Sequence, residues 1–342
     1  MRILVTGSTG MVGSHICKAL AAAGHSVCAM VRDEDRARTL HNQVGVGGID
    51  YALGDITDET SIERSIEGCD AVVHAAAMIL FDPKRLDEMT DTNVGGTRRV
   101  LEIAHERGLD PIVQVSSIAA LWSAGGEPIT EQTPVASPND TYSRTKAEAE
   151  EIARKMQDAG APVVCIYPGA VWGPDNPTLG DQITTIFAMV RWGYYLSVFG
   201  GMPIIDARDL AEAVTRTMTP GLGPRRFVLS GWYQSHDDMR RLISKIRGRK
   251  LFRLAMPAWL LLLVGRVGDL LQSLGIDTGA IRYESVRIGT SGLRADDSHS
   301  LATLGLELRP IEETVEAQMR WMHAHGHLKD RHVGALAAQT NG

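Results

Sequence analysis

Cysteine is scarce in this chain: four among 342 residues, Cys17, Cys28, Cys69 and Cys165, with no Cys-x-x-Cys pair. That spacing gives no disulfide or metal framework and suits reduced thiols in a cytoplasmic compartment. Charge of one sign is lacking as well. The formal net charge is −6, which gives no electrostatic reason to expect nucleic acid as a partner. Long apolar runs are missing. Leu254 to Gly265 supplies 12 residues between Arg253 and Arg266, whereas a membrane-spanning helix needs about 20. No linker and no internal repeat divides the chain. It opens directly on a strand pattern, Arg2-Ile3-Leu4-Val5, so no signal peptide is expected.

What is present begins with Tyr142-Ser143-Arg144-Thr145-Lys146. Residues four apart share a helix face, so the phenol and the ammonium can point into one space. A free tyrosine titrates near pH 10 and serves poorly as an acid–base group at neutral pH; a lysine beside it is expected to lower that value. The same spacing also suits a surface helix with a half-buried tyrosine, and the rest of the chain decides between the two readings.

The apolar run Ile3-Leu4-Val5 is followed at once by Thr6-Gly7-Ser8-Thr9-Gly10-Met11-Val12-Gly13 and then by a helical pattern through Ile16 and Leu20. Strand, glycine-rich turn and helix form the context a dinucleotide fingerprint requires. Gly7 would allow the tight turn, Gly10 the close approach of a pyrophosphate, and Gly13 the packing of helix on strand. Backbone N–H groups from Thr9, Met11 and Val12 at the helix start would bind the phosphates. The spacing is Gly-x-x-Gly-x-x-Gly, and a glycine-rich surface loop is the alternative. A second strand, Ser26 to Val31, ends at Arg32 and Asp33. The arginine would suit a 2′-phosphate and the aspartate free ribose hydroxyls, so NADP(H) is favoured and NAD(H) stays open.

Further along, Tyr51 to Gly54 ends at Asp55 and Ile56, and Ala71 to His74 runs into Ala75, Ala76 and Ala77. Small side chains there leave room for a cofactor against the backbone. His74 reads as a structural histidine at a strand end or, less simply, as a base. Asn93 opens a helix to about Glu106. Pro111 to Val115 ends on Ser116 and Ser117, and Val163 to Tyr167 is closed by Pro168 and Gly169. Strands alternate with helices through about residue 170, which argues for a parallel, doubly wound sheet with ligands at the carboxyl ends of its strands. Gly7, Arg32, Asp55, Ala76, Ser117 and Pro168 all fall at such ends.

Taken together, these motifs resemble the extended short-chain dehydrogenase/reductases, also called the NAD-dependent epimerase/dehydratase family. The match rests on Thr6 to Gly13, Gly54-Asp55, His74-Ala75-Ala76, Asn93-Val94-x-Gly96-Thr97, Ser116-Ser117, Tyr142-x-x-x-Lys146, Tyr167 to Pro174 and Ile205 to Ala211. The resemblance implies an α/β Rossmann fold with a doubly wound parallel sheet and a small mixed C-terminal substrate lobe. It implies Tyr142 as proton donor or acceptor, Lys146 holding the nicotinamide ribose, and Ser117 bonding the reacting oxygen. Ser116 is the neighbouring alternative and otherwise a cofactor contact. Asp55 and Ile56 would lie at the adenine, Asn93 beside the cofactor, and Pro168, Gly169 and Val171 at the nicotinamide. A homodimer built on two helices per subunit is also implied.

Three departures narrow the branch. Arg32 follows the second strand, Ile118-Ala119-Ala120 replaces the Asp-Glu of sugar-nucleotide dehydratases, and Gly200-Gly201-Met202-Pro203 lacks the arginine that often grips a diphosphate. They resemble dihydroflavonol-reductase-like and 3β-hydroxysteroid-dehydrogenase-like carbonyl reductases, with an apolar, uncharged ketone or alcohol as substrate. A sugar-nucleotide epimerase with tightly held NAD is the second reading, and a non-catalytic cofactor sensor the third.

One domain is expected over 1–327, its core about 1–170 plus returning segments, with the substrate lobe mainly within 174–205 and 230–327. Phe187, Met189, Trp192, Tyr194 and Tyr195 would line an apolar pocket or form the lobe core. Leu254 to Leu274 reads first as an amphipathic or buried helix of the lobe, with a lid over the substrate and an interfacial membrane helix as alternatives. Helices are expected over 281–290, 299–304 and 311–322, the last followed by His323, His325 and His327, whose period-two spacing does not make a metal site. Residues 328–342 read as a flexible tail.

Overall fold

A computed structural model describes residues 1–79, 85–122, 127–138, 140–177, 179, 181–274, 283–290 and 292–340. The first half alternates strand and helix: β1 (Arg2–Thr6), α1 (Met11–Ala22), β2 (Ser26–Val31), α2 (Glu34–Gln43), β3 (Asp50–Leu53), α3 (Glu59–Ile66), β4 (Ala71–His74) and α4 (Leu86–Thr90). A π-turn over Asp91–Gly95 leads into α5 (Gly96–Glu106), then β5 (Ile112–Val115), a 3-10 turn at Ile118–Ala120, α6 (Thr141–Asp158) and β6 (Val163–Pro168). β1, β2, β4, β5 and β6 are short apolar runs largely buried on both faces, the pattern a parallel sheet requires, whereas the edge strand β3 is partly exposed.

The second half gives β7 (Ala170–Trp172), α7 (Asp181–Trp192), β8 (Tyr194–Ser197), β9 (Gly201–Asp206), α8 (Ala207–Arg216) and β10 (Arg225–Leu229). After these come β11 (Trp232–Ser235), α9 (His236–Arg247), β12 (Phe252–Ala255), α10 (Ala258–Ser273), α11 (Tyr283–Thr290), α12 (Ser298–Leu304), α13 (Ile311–Ala324), α14 (Asp330–Val333) and α15 (Ala335–Thr340).

Seven strands form one sheet in the order β10-β6-β5-β4-β1-β2-β3, and every pairing is parallel. The chain builds outward from β1 to β3, returns, and builds outward again from β4, so the topological switch point lies between β1 and β4. One apolar layer packs α3, α5 and α6 on one face, through Ile62, Val100, Leu101 and Ala153. The other packs α1 and α8, through Ile16, Leu20, Leu210 and Val214. The expected doubly wound Rossmann architecture is therefore present.

The lobe has its own core around Trp172, Phe187, Tyr195, Met239, Val315 and Met319. Phe187 and Tyr195 are thus packing residues, while Trp192 is exposed. Two expectations are overturned here. The segment from 328 is no tail over the described residues: Leu328, Val333 and Leu336 are buried in the lobe core, because α14 and α15 fold back onto it. Asn341 and Gly342 lie outside the described residues, as does Ile281 at the start of the expected helix over 281–290. The apolar stretch Leu254–Leu274 is not core either. It splits into the edge strand β12 and the helix α10, and Trp259, Leu263, Val267, Leu270 and Leu274 are exposed. No helix among the described residues is long and apolar enough to cross a membrane.

Candidate active site

The glycine-rich turn crosses the switch point. Gly7 takes φ +70°, and a Cβ there would come within 2.6 Å of the Ala76 nitrogen. A Cβ on Gly13 would meet the Gly7 carbonyl oxygen at 2.2 Å. Both glycines thus let the turn lie against β4 and against α1, as their positions predict. Gly10 donates its N–H to the Gly7 carbonyl at 3.0 Å and stands at the N-cap of α1 without any side-chain cap. The first-turn N–H groups of Met11, Val12 and Gly13 are therefore left for an outside acceptor, which fits a pyrophosphate at this helix end.

Beside the turn, His74 is locked in a chain of hydrogen bonds. Ala76 N–H donates to Thr6 Oγ1 at 3.3 Å, which lies 2.8 Å from His74 Nδ1, and His74 Nε2 lies 3.1 Å from Thr97 Oγ1. Thr97 donates its proton to the Asn93 carbonyl at 2.6 Å. Its oxygen therefore accepts from His74, which fixes the neutral Nε2–H tautomer. Burial, and secondly the Lys146 charge, push the histidine down to about 3. It is a satisfied structural residue, not a base.

Asn93 does not present its amide to a cofactor. Its Oδ1 accepts from Met78 N at 2.7 Å, and its Nδ2 donates to the Met78 carbonyl at 2.9 Å and to Thr145 Oγ1 at 3.1 Å. The π-turn places it where it ties the loop after β4 to the catalytic helix. Its expected role as a cofactor contact is corrected to a positioning one.

At the adenine end, Arg32 is strongly exposed with its guanidinium 3.9 Å from Asp55. The other carboxylate oxygen of Asp55 accepts from Thr57 N at 3.0 Å, and Ile56 is buried beneath it. Asp33 caps α2, accepting from Arg36 N at 2.9 Å. Ala75, Ala76 and Ala77 follow β4 with partly exposed surfaces. At the far end, Pro168 closes β6. A Cβ on Gly169 would strike the Ser230 carbonyl oxygen at 2.3 Å, so that crossing is built backbone to backbone. Val171 in β7 keeps partial exposure.

The reactive cluster sits between. Tyr142 and Lys146 lie in the first turns of α6, whose N-terminus Asp140 caps through Ser143 N at 2.8 Å. Ser117 lies beside Tyr142 and acts to lower its pKa. Ser117 accepts from Ala119 N at 3.1 Å at the head of the 3-10 turn, so its own proton is available to donate. Ser116 is buried and its N–H donates into the sheet, to the Ile166 carbonyl at 2.8 Å, whereas Ser117 keeps partial exposure. Ser117 is therefore the hydroxyl within reach of a substrate.

Lys146 is 7% exposed, and its ammonium reaches the Val115 carbonyl at 3.5 Å. Desolvation lowers it to about 8, against the raising influence of Glu150 one turn on. The expected lowering of Tyr142 by Lys146 does not appear. The phenol keeps some solvent access, yet desolvation by its surroundings pushes it up to about 12; Ser117 opposes this and Asp140 adds to it. Tyr142 is thus a firmly protonated acid in the structure.

A family model described as NAD dependent epimerase/dehydratase family matches residues 3–230. The chain belongs to that family. It is accordingly an NAD(P)-dependent enzyme of the short-chain dehydrogenase/reductase type. A sterol demethylase protein B of Methylococcus capsulatus is 27% identical over 332 residues, covering 95% of this chain and 99% of that protein. A putative dihydroflavonol 4-reductase of Synechocystis is 28% identical over 335 residues, covering 95% of both chains. The crystal structure of gox2253 superposes with a TM-score of 0.77 at 27% identity, covering 96% of this chain and 99% of that one.

Two residues of this family member's site escape a reading of the sequence. Asp140 lies immediately before the helical pattern, where an N-cap aspartate is a legible signal. Arg287, in α11 of the lobe, donates to Asp140 Oδ2 at 2.8 Å and lies over the Trp122 ring at 5.1 Å. The partners of that ion pair are 147 residues apart, and no local pattern announces it.

Proposed function

We propose that this enzyme reduces an apolar, uncharged ketone with NADPH, Tyr142 supplying the proton. The observation that carries the reading is the placement of Tyr142 and the buried Lys146 one turn apart on α6, near the partly exposed hydroxyl of Ser117. The nicotinamide, when bound, supplies the hydride. Ser117 then orients the carbonyl oxygen, Tyr142 gives it a proton, and Lys146 stabilises the phenolate left behind.

Two features support an uncharged substrate. Gly200, where sugar-nucleotide enzymes often carry an arginine nearby, is packed so that a Cβ would lie 2.8 Å from the Thr290 carbonyl carbon. Arg287, a cation from the lobe at the start of the catalytic helix, is already paired with Asp140. NADPH is supported by the exposure of Arg32 and by the engagement of Asp33 in capping α2.

The test is a fluorescence titration of cofactor-free protein with NADPH and NADH. An arginine paired with a 2′-phosphate contributes about 1.5–3 kcal/mol, so NADPH is expected to bind roughly ten- to a hundred-fold tighter, with the margin lost in Arg32→Ala. Tyr142→Phe is expected to keep NADPH affinity and lose about 10²–10⁴ in the rate of ketone reduction. Equal affinity for NADH, or tightly retained NAD with turnover of a nucleotide sugar, would move the epimerase reading ahead.

A further inference from the structure

The exposed face of α10 asks for a partner. Trp259, Leu263, Val267, Leu270 and Leu274 follow one another at spacings of four, four, three and four, so they line one side of the helix. Trp259 is 67% and Leu270 61% exposed. Only Met256 and Pro257 separate α10 from β12, where Phe252 and Leu254 project on one side of an edge strand and are exposed as well. The buried Gly265 and Gly268 lie on the opposite side of the helix, and α10 packs on α11. A contiguous apolar surface of this kind on a polar protein marks an interaction site.

Charge identifies the partner. Between Asp238 and Asp269 the sequence has eight Lys or Arg and no Asp or Glu, within a chain of net charge −6. Arg249 and Lys250 are exposed immediately before β12, Arg253 is exposed within it, and Arg266 borders the apolar stripe. Asp237 is the acidic residue nearest Arg253, at 3.6 Å, and it already receives Arg240 and Arg241. Asp269 on α10 lies outside the stripe. An apolar strip flanked by cations matches an anionic lipid surface, the tails accepting the strip and the headgroups the cations. A second copy of the chain fits less well, because a two-fold axis through this face would bring two basic collars together. The helix has 16 residues, about 24 Å at 1.5 Å per residue, so it would lie in the interface and not cross it.

We propose that α10 and β12 dock this enzyme on an anionic membrane surface, with α10 lying parallel to the membrane and its apolar stripe facing the lipid tails. The proposal does not depend on which substrate is reduced.

The full chain is tested by cosedimentation with vesicles of phosphatidylcholine, with and without phosphatidylserine, at low and high salt. Binding is expected to the anionic vesicles, weaker at high salt. It should fall about ten-fold or more in Leu263→Ser/Leu270→Ser and also fall in Arg249→Glu/Lys250→Glu. These side chains are exposed, so reductase activity on a soluble ketone and the unfolding midpoint are expected to hold and to certify folding. Failure to bind anionic vesicles, binding indifferent to both double variants, or a dimer that becomes monomeric in Leu263→Ser/Leu270→Ser without any vesicle binding, would each overturn the proposal.

Discussion

Lys146 and Tyr142 are held away from their solution behaviour by the same cause, loss of water, acting in opposite senses on a base and an acid. The lysine falls to about 8 from an ordinary 10.5. Since the folded value lies below the unfolded one, folding disfavours the charged form, and at pH 7 the protonated lysine costs stability. With a shift of this size the cost is about 3 kcal/mol, as an order of magnitude. The 3.5 Å bond to the Val115 carbonyl offsets little of it. Lys146→Met is therefore expected to unfold at a higher temperature at pH 7 than the parent, while its ketone reduction collapses. The gap between the two proteins should close as pH rises from about 8 through the unfolded lysine range, which thermal melts across that window would record. The tyrosine–lysine pair itself was visible in the sequence, because i and i+4 fix a shared face. The sign of the phenol's shift was not, because desolvation depends on everything packed around it.

The catalytic helix α6 is set by groups at its start and at its middle. Asp140 caps it and, from 1% exposure, adds its negative charge to the forces that keep Tyr142 protonated, while Arg287 from α11 compensates that charge. About three turns further, Glu150 accepts from the Tyr167 hydroxyl at 2.6 Å and from Arg154 at 3.1 Å, anchoring the helix to β6. Asp140→Asn retains the cap, since asparagine serves as well at that position. Removing the charge is expected to lower the Tyr142 pKa, so the pH profile of alcohol oxidation, which needs the phenolate, should move to lower pH. An unchanged profile would mean that Arg287 already cancels Asp140 completely. The glycine turn and α1 were legible, since every residue involved is contiguous: Gly7, Gly10 and Gly13 announce their roles by spacing. Asn93, by contrast, looked like a cofactor contact because its position matched a motif, and only its bonds to Met78 and Thr145 show the amide fully used.

Across the whole molecule, the two layers around the sheet follow from apolar periodicity and were readable. The lobe was less so. Its core collects Trp172, Tyr195, Met239, Val315 and Leu336 from positions spread over much of the chain, and short helices such as α14 and α15 carry little pattern of their own. Their contribution can be measured. Ending the chain after Gly326 removes Leu328, Val333 and Leu336, three side chains buried to 4% or less. At about 2 kcal/mol for each, the lobe is expected to melt well before the sheet. Calorimetry should then resolve two transitions, with NADPH raising the upper one.

That closing of the lobe by α14 and α15 also orders events on the ribosome. The seven-stranded sheet has its last strand once Leu229 has emerged, whereas the lobe core waits for Leu336. For roughly a hundred residues of synthesis, at about 5–20 residues per second, the nascent chain can own a complete nucleotide cradle while the apolar surfaces of α7, α9 and α13 are still without their final cover. A dinucleotide could thus be captured before the substrate lobe exists, and the same interval is when this protein is most in need of a chaperone.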